Sequence, residues 1–155
     1  MSRRTLVAGI GNIFLGDDGF GVEVAARLSR EPLPDGVRVV DAGIRARELA
    51  YQLVEGGYDT AILVDAVGRG GPPGTLYVIE PDAAMAGASP VPAFDAHAMN
   101  PDATLALVHA LGGVATRILI VGCEPVSVEE GIGLSEPVAA AVDEAMLVVR
   151  ELLCA

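Results

Sequence analysis

Four short runs rich in apolar and β-branched residues, Thr5–Gly9, Val37–Val40, Ala61–Val64 and Arg117–Val121, recur along the chain with segments of helical period between them. After the first run, Val22, Ala25, Ala26 and Leu28 lie near a 3.6-residue spacing within Asp17–Ser29, and after the second a helical stretch covers about Ala46–Glu55. A further helix is expected from about Pro101 to Leu111. Ser135, Glu136 and Pro137 then open a last helix, whose apolar stripe is Val138, Val142, Ala145, Val149 and Leu152. Strands that alternate with helices in this way are joined by crossovers, which put helices on both faces of a parallel sheet. The predicted fold is therefore α/β, a three-layer α/β/α sandwich on a mostly parallel sheet.

A fifth run, Thr75–Ile79, breaks the pattern. Only Ala66–Gly74 separates it from Ala61–Val64, and that segment is rich in Gly and Pro and shorter than the dozen or so residues of a parallel crossover. These two strands are expected to pair antiparallel, as the one antiparallel element of the sheet. Residues 1–155 suit a single domain with one core. The Pro-rich segment from Asp82 to Ala96 is long for a loop in a compact domain, which marks it as a functional candidate.

Charge narrows the chemistry. The 21 acidic residues outnumber the 10 basic ones, for a net charge of -11, and every basic residue is an arginine. Without lysine there is no P-loop and no Schiff-base nucleophile. An acidic chain with scattered arginines is also a poor match for phosphate backbones, so no nucleic-acid partner is expected. Arg3 and Arg4 precede an apolar stretch, but Gly9, Gly11, Asn12, Asp17 and Asp18 interrupt it, so neither a signal peptide nor a membrane span is expected. Cys123 and Cys154 are far apart and lack CxxC spacing, consistent with a cytoplasmic location.

In a parallel sheet, ligands gather outside the carboxyl ends of the strands. Asp17 and Asp18 follow the first strand, Asp41 the second and Asp65 the third, while His97 ends the long loop. Carboxylates and an imidazole on one edge suit a borderline divalent ion such as nickel or zinc. Each aspartate has an alternative reading as a helix or turn cap, which is the favoured one for Asp41. Cys123 reads as a buried apolar residue, with a nucleophilic role beside His97 as the alternative. Gly9-Ile10-Gly11 suggests a dinucleotide loop, but Phe14 stands where its third glycine belongs.

The segment GIGNIFLGDDGFG, Gly9 to Gly21, resembles the opening motif of the hydrogenase maturation protease family. The likeness continues through DAGIRARELAYQL, LVDAV around Asp65, PPGTLYVIEP and VGCEPVSVEEGIGLSEPV, and covers nearly the whole chain. It implies an endopeptidase that removes the C-terminal extension of a nickel-iron hydrogenase large-subunit precursor after nickel insertion. It also implies that Asp18, Asp65 and His97 are the catalytic and metal-contacting residues, and that Gly43 and Ile44 take part in choosing the substrate. The nickel would come with the substrate, and no other cofactor is implied. Two departures stand out: Asn100 replaces a glycine usual three residues after the histidine, and Cys123 replaces an aliphatic residue. The same three residues would also serve a nickel-sensing chaperone that docks the precursor without cutting it.

Overall fold

A computed structural model describes residues 3–80 and 117–154. Five strands form one sheet: β1 (Thr5–Ile10), β2 (Val37–Gly43), β3 (Thr60–Ala66), β4 (Leu76–Ile79) and β5 (Arg117–Cys123), in the order β2-β1-β3-β5-β4. Among the described residues three helices accompany them: α1 (Phe20–Leu28), α2 (Ala46–Glu55) and α3 (Glu136–Cys154). The expected helix at Pro101–Leu111, the Asp82–Ala96 loop and His97 lie outside the described residues.

β1 and β3 are buried along almost their whole length, as strands covered on both faces must be. Their alternation divides the core in two. Val7, Ile62, Val64, Val121 and Cys123 face α1 and α3, which answer with Phe20, Val24 and Leu28 and with Val138, Val142, Ala145 and Val149. Leu6, Ala8, Ile10, Ala61, Leu63 and Ile120 face α2, which supplies Leu49, Ala50 and Leu53. Each fully buried Leu, Val or Phe contributes about 1.5–3 kcal/mol, so the apolar periodicity of both element types is satisfied by the same three layers. The α/β/α sandwich is present as expected.

One pairing differs from expectation. β4 is antiparallel, but its neighbour is β5 rather than β3. The edge of β3 is taken by β5, in parallel register from Thr60↔Arg117 to Ala66↔Cys123. The Val67–Thr75 connection passes over the carboxyl end of β5, held by Val67 N–H to the Cys123 carbonyl (2.9 Å), Gly74 N–H to the Glu124 carbonyl and Glu124 N–H to the Thr75 carbonyl (both 2.8 Å). Spanning two strand spacings takes only about 10 Å, which nine residues reach easily. Short connections set direction, and neighbouring edges set the partner.

β1 lies between β2 and β3, parallel to both. The chain therefore reverses its direction of progress across the sheet at the carboxyl ends of β1 and β3, which is the topological switch point where doubly wound sheets bind ligands. Helix α1 packs very close there. A Cβ on Gly21 would stand 1.9 Å from the Val64 carbonyl oxygen, and one on Gly9 would stand 2.2 Å from the Gly21 carbonyl oxygen, so only glycines allow this approach.

Candidate functional site

The switch point is built from the residues that follow β1. Gly9 pairs with Val64, so Ile10-Gly11 and Asp65 emerge side by side. Gly11 N–H donates to the Gly43 carbonyl (3.0 Å), which ties the end of β2 to the same place. Gly11 has φ +138, and a Cβ there would stand 1.8 Å from the Asp18 carbonyl oxygen and 3.4 Å from Asp65 Oδ1. It is the spacer that lets the Asp18 turn close on the end of β3.

Asp17 and Asp18 lie in a one-turn 3-10 segment, Gly16–Gly19, ahead of α1 rather than in the helix itself. Neighbours in sequence, they have opposite environments. Asp18 is half-buried, and its Oδ2 accepts the Asn12 N–H at 2.8 Å. Burial raises its pKa against that hydrogen bond. Asp65, inside β3, is fully buried, and its Oδ1 accepts the Ala66 N–H at 2.8 Å. Among the described residues its Oδ2 has no hydrogen-bond partner. Burial first, and then the charge of Asp18, push Asp65 well above the usual carboxylate range, with the Ala66 N–H opposing. A buried carboxylate oxygen without a donor, beside a second carboxylate, is chemically suited to a proton or a cation.

Asp17 is the opposite case. It is 2% exposed, and burial raises its pKa, but four donors outweigh that cost and leave it below the ordinary value. Ser135 N–H reaches Oδ1 at 2.7 Å, while Val126 N–H (2.8 Å), the Ser135 hydroxyl (2.8 Å) and Ser127 N–H (3.3 Å) reach Oδ2. It locks the loop before α3 onto the loop after β1, with both carboxylate oxygens engaged by protein donors. Asp17 does not cap the helix that follows it, since neither the 3-10 turn nor α1 has a side-chain cap; its carboxylate binds across the fold instead, at the start of α3.

The remaining candidates sort as follows. Asp41 is exposed inside β2, and Arg45 donates to its carbonyl (2.7 Å) rather than to its side chain. Gly43 (φ +50) and the 55% exposed Ile44 form the loop that reaches Gly11. Cys123 is fully buried, and burial, then Asp17 and Glu124, push its thiol up to about 11, which fits the apolar reading and not the nucleophilic one. The dinucleotide alternative gains nothing, since two carboxylates stand in the turn ahead of α1, where a pyrophosphate would need to sit. His97 lies outside the described residues, and among those described no group of three or more His, Cys, Asp or Glu residues is arranged to hold a metal ion.

Sequence reasoning missed Glu124. It is 6% exposed, and its Oε1 accepts Arg69 N–H (2.7 Å), Gly71 N–H (3.0 Å) and the Tyr77 hydroxyl (2.8 Å). Led by the Arg69 hydrogen bond, these contacts hold its pKa down against burial. It shapes the connection that crosses the end of β5. Its position at a strand end, like that of the aspartates, was the available signal.

Comparison with known proteins agrees with this architecture. The family model described as hydrogenase maturation protease matches residues 22–151, beginning four residues after Asp18. A Methanocaldococcus jannaschii protein is 35% identical over 155 residues, covering 95% of this chain and 94% of its own. The crystal structure of a hydrogenase 2 maturation peptidase from a Thaumarchaeota archaeon is 32% identical, with TM-score 0.73 over 97% of this chain and 98% of that one. The hydrogenase maturating endopeptidase HybD of Escherichia coli is 27% identical, with TM-score 0.77 over 97% and 91% of the two chains.

Proposed function

This chain belongs to the hydrogenase maturation protease family, endopeptidases of hydrogenase maturation, and from that premise we propose that it removes the C-terminal extension of a nickel-iron hydrogenase large-subunit precursor once nickel is in place. The metal arrives with the substrate. Asp18, Asp65 and His97 meet it, so that only loaded precursor is held with its scissile peptide in register. Gly43 and Ile44, on the loop that reaches Gly11, contribute to the choice of precursor.

The observation that supports this most is Asp65 Oδ2, buried beside Asp18 without a hydrogen-bond donor among the described residues. A divalent ion there would supply the missing partner and offset the repulsion between the two carboxylates. Two carboxylates and one imidazole leave coordination positions free for ligands from the substrate. Either the nickel polarises the scissile carbonyl, or one carboxylate that the metal leaves free acts as general base toward an attacking water. With so few ligands, the isolated chain should hold free nickel weakly, and nanomolar affinity in calorimetry would argue against a substrate-borne metal. The two free cysteines support a reducing compartment, and we place the reaction in the cytoplasm.

The test is the intact mass of nickel-loaded and nickel-free precursor after incubation with the wild-type protein and with Asp18→Asn, Asp65→Asn and His97→Ala. Loss of a C-terminal peptide from loaded precursor alone, abolished by each substitution, is the expected result. Cleavage that ignores nickel would overturn the recognition scheme. Unchanged mass with retained binding would favour a docking chaperone.

A further inference from the structure

The loops flanking the aspartates carry more exposed apolar surface than solubility favours. Phe14 (59%), Val126 (55%) and Ile132 (82%) are exposed, and Ile13 and Val128 beside them are nearly half exposed. Isolated exposed apolar residues are ordinary, but a group on adjoining loops marks a contact surface. These side chains stand on fixed backbone. Leu15 and Gly131 form a parallel bridge, Gly16 N–H donates to the Gly131 carbonyl, and Gly131 N–H donates to the Phe14 carbonyl, both at 2.8 Å. The buried carboxylate of Asp17 then holds Val126, Ser127 and Ser135 to the same turn that carries Asp18. The two loops are one ledge, and its shape is set before anything binds.

The charge of the ledge identifies its occupant. Glu129 and Glu130 are exposed between Val128 and Ile132, and neither Gly9–Gly21 nor Val121–Val138 contains an arginine. A second copy of a chain with net charge -11 would bring the same negative surface against this one, which disfavours self-association. We infer that the ledge docks an extended polypeptide segment that combines apolar side chains with positive charge, namely the stretch of the precursor next to the bond that is cut. This rests on the protease reading and adds to it a recognition surface on the side of Asp18 formed by Phe14, Val126 and Ile132, separate from the Gly43–Ile44 loop.

The experiment follows cleavage of nickel-loaded precursor and, separately, its co-sedimentation with the protein. Phe14→Glu, Ile132→Glu and the double variant Glu129→Arg/Glu130→Arg are compared with Leu147→Glu, a control at an exposed apolar position on α3. Circular dichroism melts confirm folding. Each ledge variant should raise KM by about tenfold or more, the effect of losing one apolar anchor, with the loss recovered at saturating precursor. Leu147→Glu should match the wild type. Wild-type KM in all ledge variants would overturn the ledge while leaving the protease intact. If the wild-type protein cuts no precursor, the protease reading fails, and the ledge then stands if Ile132→Glu abolishes co-sedimentation and falls if it does not. A wild-type dimer that Ile132→Glu separates would assign the surface to self-association and overturn the proposal.

Discussion

Ser135 donates both its backbone N–H, at 2.7 Å, and its hydroxyl, at 2.8 Å, to the carboxylate of Asp17, 118 residues earlier in the chain. That double contact fastens the start of α3 to the turn that carries Asp18, so removing it should act on stability first and on the site second. Asp17→Ala removes the acceptor of three partly buried N–H donors and one hydroxyl and is expected to cost about 1–3 kcal/mol, since water reaches part of what it leaves open. The sign of the pH effect follows from the lowered pKa. The Asp17 contribution is fully present above the ordinary value of 3.8 and is lost as pH falls through the lower folded value. Urea titrations between neutral pH and pH 3 should show the wild-type advantage over Asp17→Ala shrinking at the acid end, and an advantage independent of pH would count against an ionised clasp.

Asp65 behaves in the opposite sense. Its folded pKa lies above the ordinary value, so the folded state favours the protonated carboxyl, and this residue's contribution to stability declines as pH rises through the folded value. Asp65→Asn puts a neutral side chain in place of a carboxyl whose ionised form is disfavoured by burial and by Asp18. Its thermal midpoint at pH 7 should exceed that of wild type, by about 2–4 °C for each kcal/mol recovered in a chain of this size, while cleavage is lost. A lower midpoint would mean that the Asp65 charge stabilises the fold.

Gly11 separates the two aspartates, and replacing it with alanine should damage activity more than stability. Positive φ costs a non-glycine residue about 1–3 kcal/mol, and the added carbon would stand 1.8 Å from the Asp18 carbonyl oxygen, so the turn must move. Gly11→Ala is expected to lower kcat/KM by about 100-fold, as a displacement of about 1 Å does at a positioned site, while the protein still unfolds cooperatively. Wild-type kinetics from a folded Gly11→Ala protein would show that the spacing between Asp18 and Asp65 is not critical.

Cys123 should be chemically silent. A thiol pushed up to about 11 is about one part in a thousand thiolate at pH 8, and the side chain is buried as well. Iodoacetamide should label the native protein at the exposed Cys154 alone and both cysteines after denaturation. Cys123→Val should retain cleavage, and its inactivation in a folded protein would reopen the nucleophilic reading.

Residue type and position do not tell Asp17 and Asp18 apart, because both are acidic and both lie in the same turn, and only the family resemblance singled out Asp18. They part only when Val126, Ser127 and Ser135 arrive from more than 100 residues away and saturate one carboxylate. Glu124 was overlooked for the same reason, since Arg69 and Gly71 donate to it across the end of β5 from over 50 positions away.

Much else was written locally. The runs at Thr5, Val37, Ala61 and Arg117, and the apolar stripes of α1, α2 and α3, are readable because burial acts on each element through its own period. The three-layer order and the gathering of acids at the carboxyl edge follow from them. The neighbour of β4, the complete burial of Asp65, the clasp at Asp17 and the rigid ledge beside it were decided by tertiary structure alone. Hydrogen-bond partners and strand edges are assigned by competition among segments that meet only once the chain has folded, whereas hydrophobic periodicity is already present in the unfolded chain.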